Sequence, residues 1–305
     1  MRASVLGYCM GVRRAMAAAE KALKAYPESD VYTLGPLIHN KTALEDLAAR
    51  GLLTLADENA EALPAGTLCG AKKRTDIVVI LRAHGAAPQV RGKLKKAGAR
   101  IIDATCPRVL ANQRRVKAYA LKEYLIIIAG DKNHAEVSAL VGEARDAGAE
   151  CRIVQNEDEA EALAQNPHFR CCNAILISQT TISAEEYKAI QRILREAHDE
   201  KAELKIFDTI CPATEERQKA LKELCRKAEG VLVVGGKNSA NTKRLFQTAS
   251  ALCAHAAHIE TAREIPAEFR RLKTIGITAG ASTPDSVIRE VERSLCALPA
   301  AEAVP

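Results

Sequence analysis

Leu125-Ile126-Ile127-Ile128-Ala129-Gly130-Asp131-Lys132-Asn133-His134-Ala135-Glu136 is a short apolar run, a polar loop opened by glycine, and the start of a helical pattern that continues to Ala147. A β-branched run of this length bounded by such a loop reads as a buried strand feeding a helix. The same unit recurs as Val231-Leu-Val-Val-Gly-Gly-Lys-Asn-Ser239-Ala240-Asn241, and in looser form as Val31-Tyr-Thr-Leu34 running into Leu37-Ile38-His39-Asn40. Three further strands are expected at Ile77–Leu81, Ala174–Ile177 and Thr274–Ile277. Helices are expected over Lys41–Ala49, Gln89–Ala97, Arg108–Leu121, Ala184–His198, Ala213–Lys227 and Asn241–Leu252. Strands alternating with helices indicate an α/β fold with largely parallel sheets.

Three cysteines index the repeat. Cys9 follows Ser4-Val-Leu-Gly-Tyr8, Cys106 follows Ile101-Ile-Asp-Ala-Thr105, and Cys211 follows Ile206-Phe-Asp-Thr-Ile210; each reads as a strand-to-helix junction. His39, His134 and Ser239 lie 30, 28 and 28 residues after their cysteines, and His84, Thr180 and Ser282 lie 75, 74 and 71 residues after them. Each lobe therefore supplies one thiol and two polar groups. These groups fall just past apolar strands, where open α/β sheets bind ligands. The expected organisation is three related lobes, residues 1–98, 99–203 and 204–298, with a flexible tail over 299–305.

Composition narrows the function classes. The 305 residues are 48% hydrophobic and carry a net charge of +6, spread over mixed-sign helical stretches such as Lys93–Arg100 and Glu215–Glu223 that read as solvated faces. With 3% aromatic residues and no Trp, the chain offers few platforms for stacking nucleic-acid bases, so no nucleic-acid partner is expected. Arg2, Arg13, Arg14, Glu20 and Lys21 interrupt the N-terminal region, and no apolar run is long enough to span a bilayer, so a cytoplasmic protein without a membrane partner is expected. Ten cysteines in a reducing compartment favour free thiols and metal ligands over disulfides.

Three thiolates could hold zinc with an open fourth position, or a [4Fe-4S] cluster with one iron free of protein thiolate. The wide spacing of single cysteines favours the cluster. Glu136 is the carboxylate nearest in sequence to a site histidine and is the candidate proton donor; the competing role is a first-turn carboxylate on the helix dipole. Ser239, Asn241 and Ser282, with Gly235, Gly236 and Gly280, suit an anionic group, although serines also cap helices. Cys253-Ala-His255-Ala-Ala-His258 has metal-like spacing but no copies in the other lobes, and is read as structural. The vicinal Cys171-Cys172 pair reads as one core and one surface thiol, and Cys69, Cys151, Cys225 and Cys296 as packing residues.

These motifs resemble those of the 4-hydroxy-3-methylbut-2-enyl diphosphate reductase (LytB/IspH) family. The resemblance runs in order through Gly7–Val12, Ile38–Asn40, Arg82–Gly85, Asp103–Pro107, Lys132–Val137, Ser178–Thr181, Cys211–Gln218, Gly236–Asn241 and Thr278–Ser282. It implies a three-lobed α/β trefoil around a [4Fe-4S] cluster held by Cys9, Cys106 and Cys211. It also implies reductive removal of an allylic hydroxyl from a diphosphate substrate, giving isopentenyl and dimethylallyl diphosphates. His39, His84, Ser239, Asn241 and Ser282 match the family's diphosphate positions, with Ala240 among them, while His134, Glu136 and Thr180 match those around the hydroxyl.

Hydroxide leaves poorly, so a Lewis acid and a proton from Glu136 would act together on it. Two departures stand out: Ala240 replaces a serine of the family's Ser-Ser-Asn, and Ala135 replaces a proline. The basic net charge is compatible with reduced ferredoxin or flavodoxin as electron donor. An iron-sulfur electron carrier or redox sensor without this substrate, or more remotely a zinc hydrolase, would share the cysteines but would not need the six polar clusters.

Overall fold

The computed structural model describes residues 1–38, 40–56 and 77–297. His39, Cys69 and the stretch 299–305 therefore lie outside the described residues. The chain is α/β with three parallel sheets, as the alternating pattern predicts. The first sheet has the order β2-β1-β3-β4, from β1 (Asp30–Leu34), β2 (Leu52–Leu55), β3 (Ile77–Leu81) and β4 (Arg100–Asp103). The second repeats it as β6-β5-β7-β8, from β5 (Leu125–Ala129), β6 (Cys151–Val154), β7 (Ala174–Ser178) and β8 (Leu204–Ile206). The third is β10-β9-β11, from β9 (Gly230–Val234), β10 (His255–Ile259) and β11 (Ile275–Ala279).

Every residue of β5, β7 and β9 is buried, which accounts for their unbroken apolar sequences. β4 and β8 are the strands expected ahead of Cys106 and Cys211, whereas β2 and β6, four residues each, were not expected. Cys151-Arg-Ile-Val154 shows why: it is short and interrupted by a charge, so its signal is weak. The Cys253–His258 stretch largely forms β10 itself. His258 Nε2 lies 2.8 Å from the Gly235 carbonyl and the Cys253 thiol points at the Cys225 carbonyl, so these groups serve the fold.

Helices follow the strands: α1 (Met10–Ala25), α2 (Lys41–Ala49), α3 (Pro88–Lys96), α4 (Pro107–Ala120), α5 (Ala135–Asp146), α6 (Glu157–Ala164), α7 (Pro167–Cys171), α8 (Ala184–Ala197), α9 (Pro212–Cys225), α10 (Ala240–Leu252) and α11 (Asp285–Cys296). Proline at the first position sets the starts of α3, α4 and α9, where its missing N–H costs nothing. Among the described residues no helix is long and apolar enough to cross a membrane.

The described residues form two compact units. One comprises 1–13, 38–46 and the chain from Pro212 onward, and carries the third sheet; the other comprises 14–37 and 47–211, and carries the first two. Within the latter, α5 packs against the start of α3 at Gly142, where a Cβ would come within 2.4 Å of the Ala87 Cβ. This close approach fastens the first sheet's layer to the second's.

Segments leading to the cysteines belong to the sheet before them. β4, ahead of Cys106, pairs with β3, and β8, ahead of Cys211, pairs with β7. Ahead of Cys9 the expected strand is absent: Ser4–Tyr8 is irregular, and a single parallel bridge joins Arg2 to Ile277 of β11. The N-terminal segment thus meets the third sheet at that one bridge instead of in a paired strand.

Candidate functional site

In each sheet the order reverses between two adjacent strands, β1/β3, β5/β7 and β9/β11. Loops leaving the carboxyl ends of such a pair diverge and leave a crevice for ligands. The sequence-predicted polar clusters occupy these loops. After β5, the His134 side chain caps α5, its Nδ1 accepting the Glu136 N–H at 3.2 Å. After β9, Ser239 caps α10 in the same way, its hydroxyl oxygen accepting the Thr242 N–H at 3.3 Å. Two residues past each cap stand Glu136 and Asn241, so one backbone presents a carboxyl group in one sheet and an amide in another.

Glu136 is 0% exposed. The Thr180 N–H donates to its Oε1 at 3.0 Å and the Thr180 hydroxyl to its Oε2 at 2.8 Å. Burial pushes the Glu136 carboxyl up to about 7, against the two hydrogen bonds from Thr180, which favour the charged form. A buried acid that exchanges its proton near neutral pH is suited to proton transfer, and the helix-dipole role alone does not require its burial. The His84 and His134 rings meet edge to face with centroids 5.0 Å apart, so the loop after β3 reaches the loop after β5.

The cysteines share one anchor. Cys106 N–H donates to the Ala83 carbonyl at 2.9 Å, Cys211 N–H to the Thr180 carbonyl at 2.8 Å, and Cys9 N–H to the Ala281 carbonyl at 3.1 Å. Ala83, Thr180 and Ala281 each stand two residues beyond their strands, which fixes the register of the repeat. His84, Thr181 and Ser282 are then the equivalent positions, and Thr180 lies one residue earlier than its offset from Cys106 suggests. Counting from the cysteines missed this frame because the intervening loops differ in length.

Each cysteine also sits immediately before a helix, and all three are half-buried and outside any disulfide. Cys106 makes no side-chain cap to its own helix, leaving its sulfur for another role. The positive end of a helix suits a thiolate ligand. Among the described residues no three His, Cys, Asp or Glu side chains stand together as a closed metal cage, so the fit to a cluster rests on the donor chemistry and the shared anchoring. The remaining described cysteines are less suited: burial pushes the Cys151 thiol up to about 12, and burial with the Cys253 contact does the same for Cys225. Cys171 and Cys296 are exposed, against the packing role expected for Cys296; the last turn of α11 presents it outward.

In the unit that carries the third sheet, Ser239, Asn241 and Ser282 are buried, and among the described residues the Asn241 Nδ2 has no hydrogen-bond partner. An amide donor buried without an acceptor is costly unless a ligand supplies one. Ala240 opens α10 between Ser239 and Asn241, and Ser282 lies ahead of the Pro284 that precedes α11, so Ser282 does not cap that helix.

Sequence reasoning missed Arg217. It lies in the charged Glu215–Glu223 stretch read as a solvated face, yet it is 3% exposed. The missed signal was its spacing from Ala220, Leu221 and Leu224, which puts it on the apolar stripe of α9.

A family model described as LytB protein matches residues 1–296. The chain is 47% identical over 298 residues to the 4-hydroxy-3-methylbut-2-enyl diphosphate reductase of Treponema denticola, covering 96% of this chain and 98% of the relative. It is 37% identical over 288 residues to that of Aquifex aeolicus, covering 94% and 92%. Among solved structures, (E)-4-hydroxy-3-methyl-but-2-enyl diphosphate reductase, the terminal enzyme of the non-mevalonate pathway, matches with TM-score 0.68 at 34% identity, covering 97% of this chain and 98% of that one. The Plasmodium falciparum reductase matches with TM-score 0.84 at 28% identity, covering 98% and 88%.

Proposed function

We propose, since the chain belongs to the LytB family and is a reductase converting (E)-4-hydroxy-3-methylbut-2-enyl diphosphate to isopentenyl and dimethylallyl diphosphates, that Glu136 supplies the proton with which the hydroxyl departs as water. This reaction ends the methylerythritol phosphate route to isoprenoids. One observation carries the assignment. Thr180 holds the Glu136 carboxyl group with its N–H and hydroxyl while its carbonyl receives the Cys211 N–H, so acid and thiol are fixed to a single residue.

Near pH 7 about half of Glu136 is protonated. In that form its Oε2 hydroxyl donates to the Thr180 Oγ1, and Thr180 passes its own hydrogen to the leaving oxygen. His134, whose Nδ1 accepts the Glu136 N–H, carries its proton on Nε2 and offers it to the same oxygen. Ser239, Asn241 and Ser282, with His84 and His39, bind the diphosphate; Ala240 contributes no hydroxyl there.

Cys9, Cys106 and Cys211 are the residues that would hold a [4Fe-4S] cluster. When bound, it supplies two electrons one at a time and a Lewis-acidic position left open by the missing fourth thiolate. Reduced ferredoxin or flavodoxin is the proposed donor to this basic protein, and the cytoplasm, which keeps thiols reduced, the proposed compartment.

Anaerobically purified protein should contain iron and sulfide and should convert the allylic diphosphate to both products when given a low-potential reductant. Glu136→Gln should keep its iron and lose turnover. Iron-loaded protein inert toward the allylic diphosphate would reduce the reading to an electron carrier.

A further inference from the structure

The segments ahead of Cys106 and Cys211 are strapped by their own side chains. Asp103 accepts the Thr105 N–H at 2.9 Å and is itself held by Arg91 Nη1 at 2.7 Å. Thr209 accepts the Ser178 N–H at 2.7 Å, and its hydroxyl lies 3.0 Å from the Ser178 carbonyl. Both segments also begin in paired strands, β4 and β8. The segment ahead of Cys9, Ser4-Val-Leu-Gly-Tyr8, has a single bridge at Arg2 in place of a paired strand, and its sequence has no Asp-x-Thr.

We infer that Arg217 is the positioning residue for Cys9, holding the turn that leads to it. Its Nη2 donates to the Gly7 carbonyl at 2.6 Å, across 210 residues of sequence, and its Nη1 donates to the Ala213 carbonyl at 2.8 Å in the first turn of α9. Gly7 has φ of 75°, a left-handed conformation open to glycine that turns the chain two residues before Cys9. One rigid guanidinium thus ties the Cys9 turn to the start of α9, with two forked donors that a single ammonium does not reproduce. Burying a long cationic side chain is costly unless donors are used, and the two carbonyls accept from Nη1 and Nη2. Farther out, Met1 and Ala3 hold the chain to Ile275 and Ile277, and the exposed Arg2–Glu292 ion pair adds a surface contact.

The inference rests on Cys9 being a cluster ligand, and its test separates the two. Arg217→Met holoprotein should release iron to a chelator about 10–100-fold faster than the parent, the range seen when groups supporting a metal ligand are removed. Hydrogen exchange should quicken at residues 3–9, where the Cys9 N–H to Ala281 bond reports, and stay unchanged at residues 100–106. Arg217→Lys should restore part of both effects, and Arg2→Met, which loosens the same segment at the surface, should leave iron release at the parental rate.

If Arg217→Met fails to fold, Arg217→Lys decides: faster exchange confined to residues 3–9 supports the clasp, and parental exchange there overturns it. Parental iron release and exchange in Arg217→Met would also overturn it. Full iron retention in Cys9→Ser would instead remove the ligand assignment while leaving the exchange result to stand.

Discussion

The junctions after β5 and β9 share a backbone and differ in what they present: His134, Glu136 and Thr180 in one, Ser239, Asn241 and Ala281 in the other. Both have a side-chain cap, a polar group two residues later, and a second loop that holds a cysteine N–H. Where a carboxyl group sits buried with Thr180, the junction stores a proton. Where an amide replaces it and alanine replaces the threonine, the junction has a donor to offer and no charge to repel an anion. A repeated scaffold has thus been divided between acid chemistry and anion binding by a few side chains.

The comparison breaks first at Glu136. Glu136→Gln keeps the shape but cannot give a proton, so turnover should fall about 10²–10⁴-fold with iron content and substrate affinity retained, as steady-state rates and iron analysis would show.

The same variant sharpens the electrostatic side. Because the folded-state value is raised from 4.5 to about 7, the native protein binds more protons than the unfolded chain between these limits, and its stability drops as pH rises through them. The penalty is fully present above about 7, where it is on the order of 3 kcal/mol, and absent below 4.5. Denaturant titrations should find Glu136→Gln more stable than the parent at alkaline pH, with the gap closing on acidification. A gap independent of pH would contradict the assignment of the shift to this group.

At the other junction, Asn241→Asp imposes the acid on the anion-binding side. The KM for the diphosphate should rise about 10–100-fold, from loss of a donor to a charged group, while iron content is unchanged. Thr180→Val removes the hydroxyl but keeps the backbone N–H, so turnover should fall about tenfold. Losing that bond also raises the Glu136 value further, which should carry the alkaline limb of the rate profile upward. The smallest effect belongs to Ala240→Ser, which restores a hydroxyl beside Asn241 and should lower KM by less than about tenfold.

Much of this division was legible in the sequence, because strand, glycine loop and cap leave a periodic trace and the cysteines mark each copy. Cys106 and Cys211 fall where the apolar runs place them, and Glu136 stands out as the carboxylate beside a capping histidine. The register of Thr180 against Ser282 was not legible, since counting residues cannot see which carbonyl receives a cysteine N–H. Nor was the exchange of β4 and β8 into preceding sheets: strand pairing is a non-local choice, and four residues such as Arg100–Asp103 carry little pattern of their own. Arg217 was hidden by its neighbours, because a charged residue on an apolar stripe looks like one more surface cation until its carbonyl partners are found.

The account turns on Glu136 holding its proton near neutral pH in the free enzyme. The dependence of kcat/KM on pH tests this directly, since it reports groups of the free enzyme. The parent enzyme should lose kcat/KM above about pH 7, and the residual activity of Glu136→Gln should lack that limb. A parental profile flat through this range, or the same alkaline limb in Glu136→Gln, would contradict it.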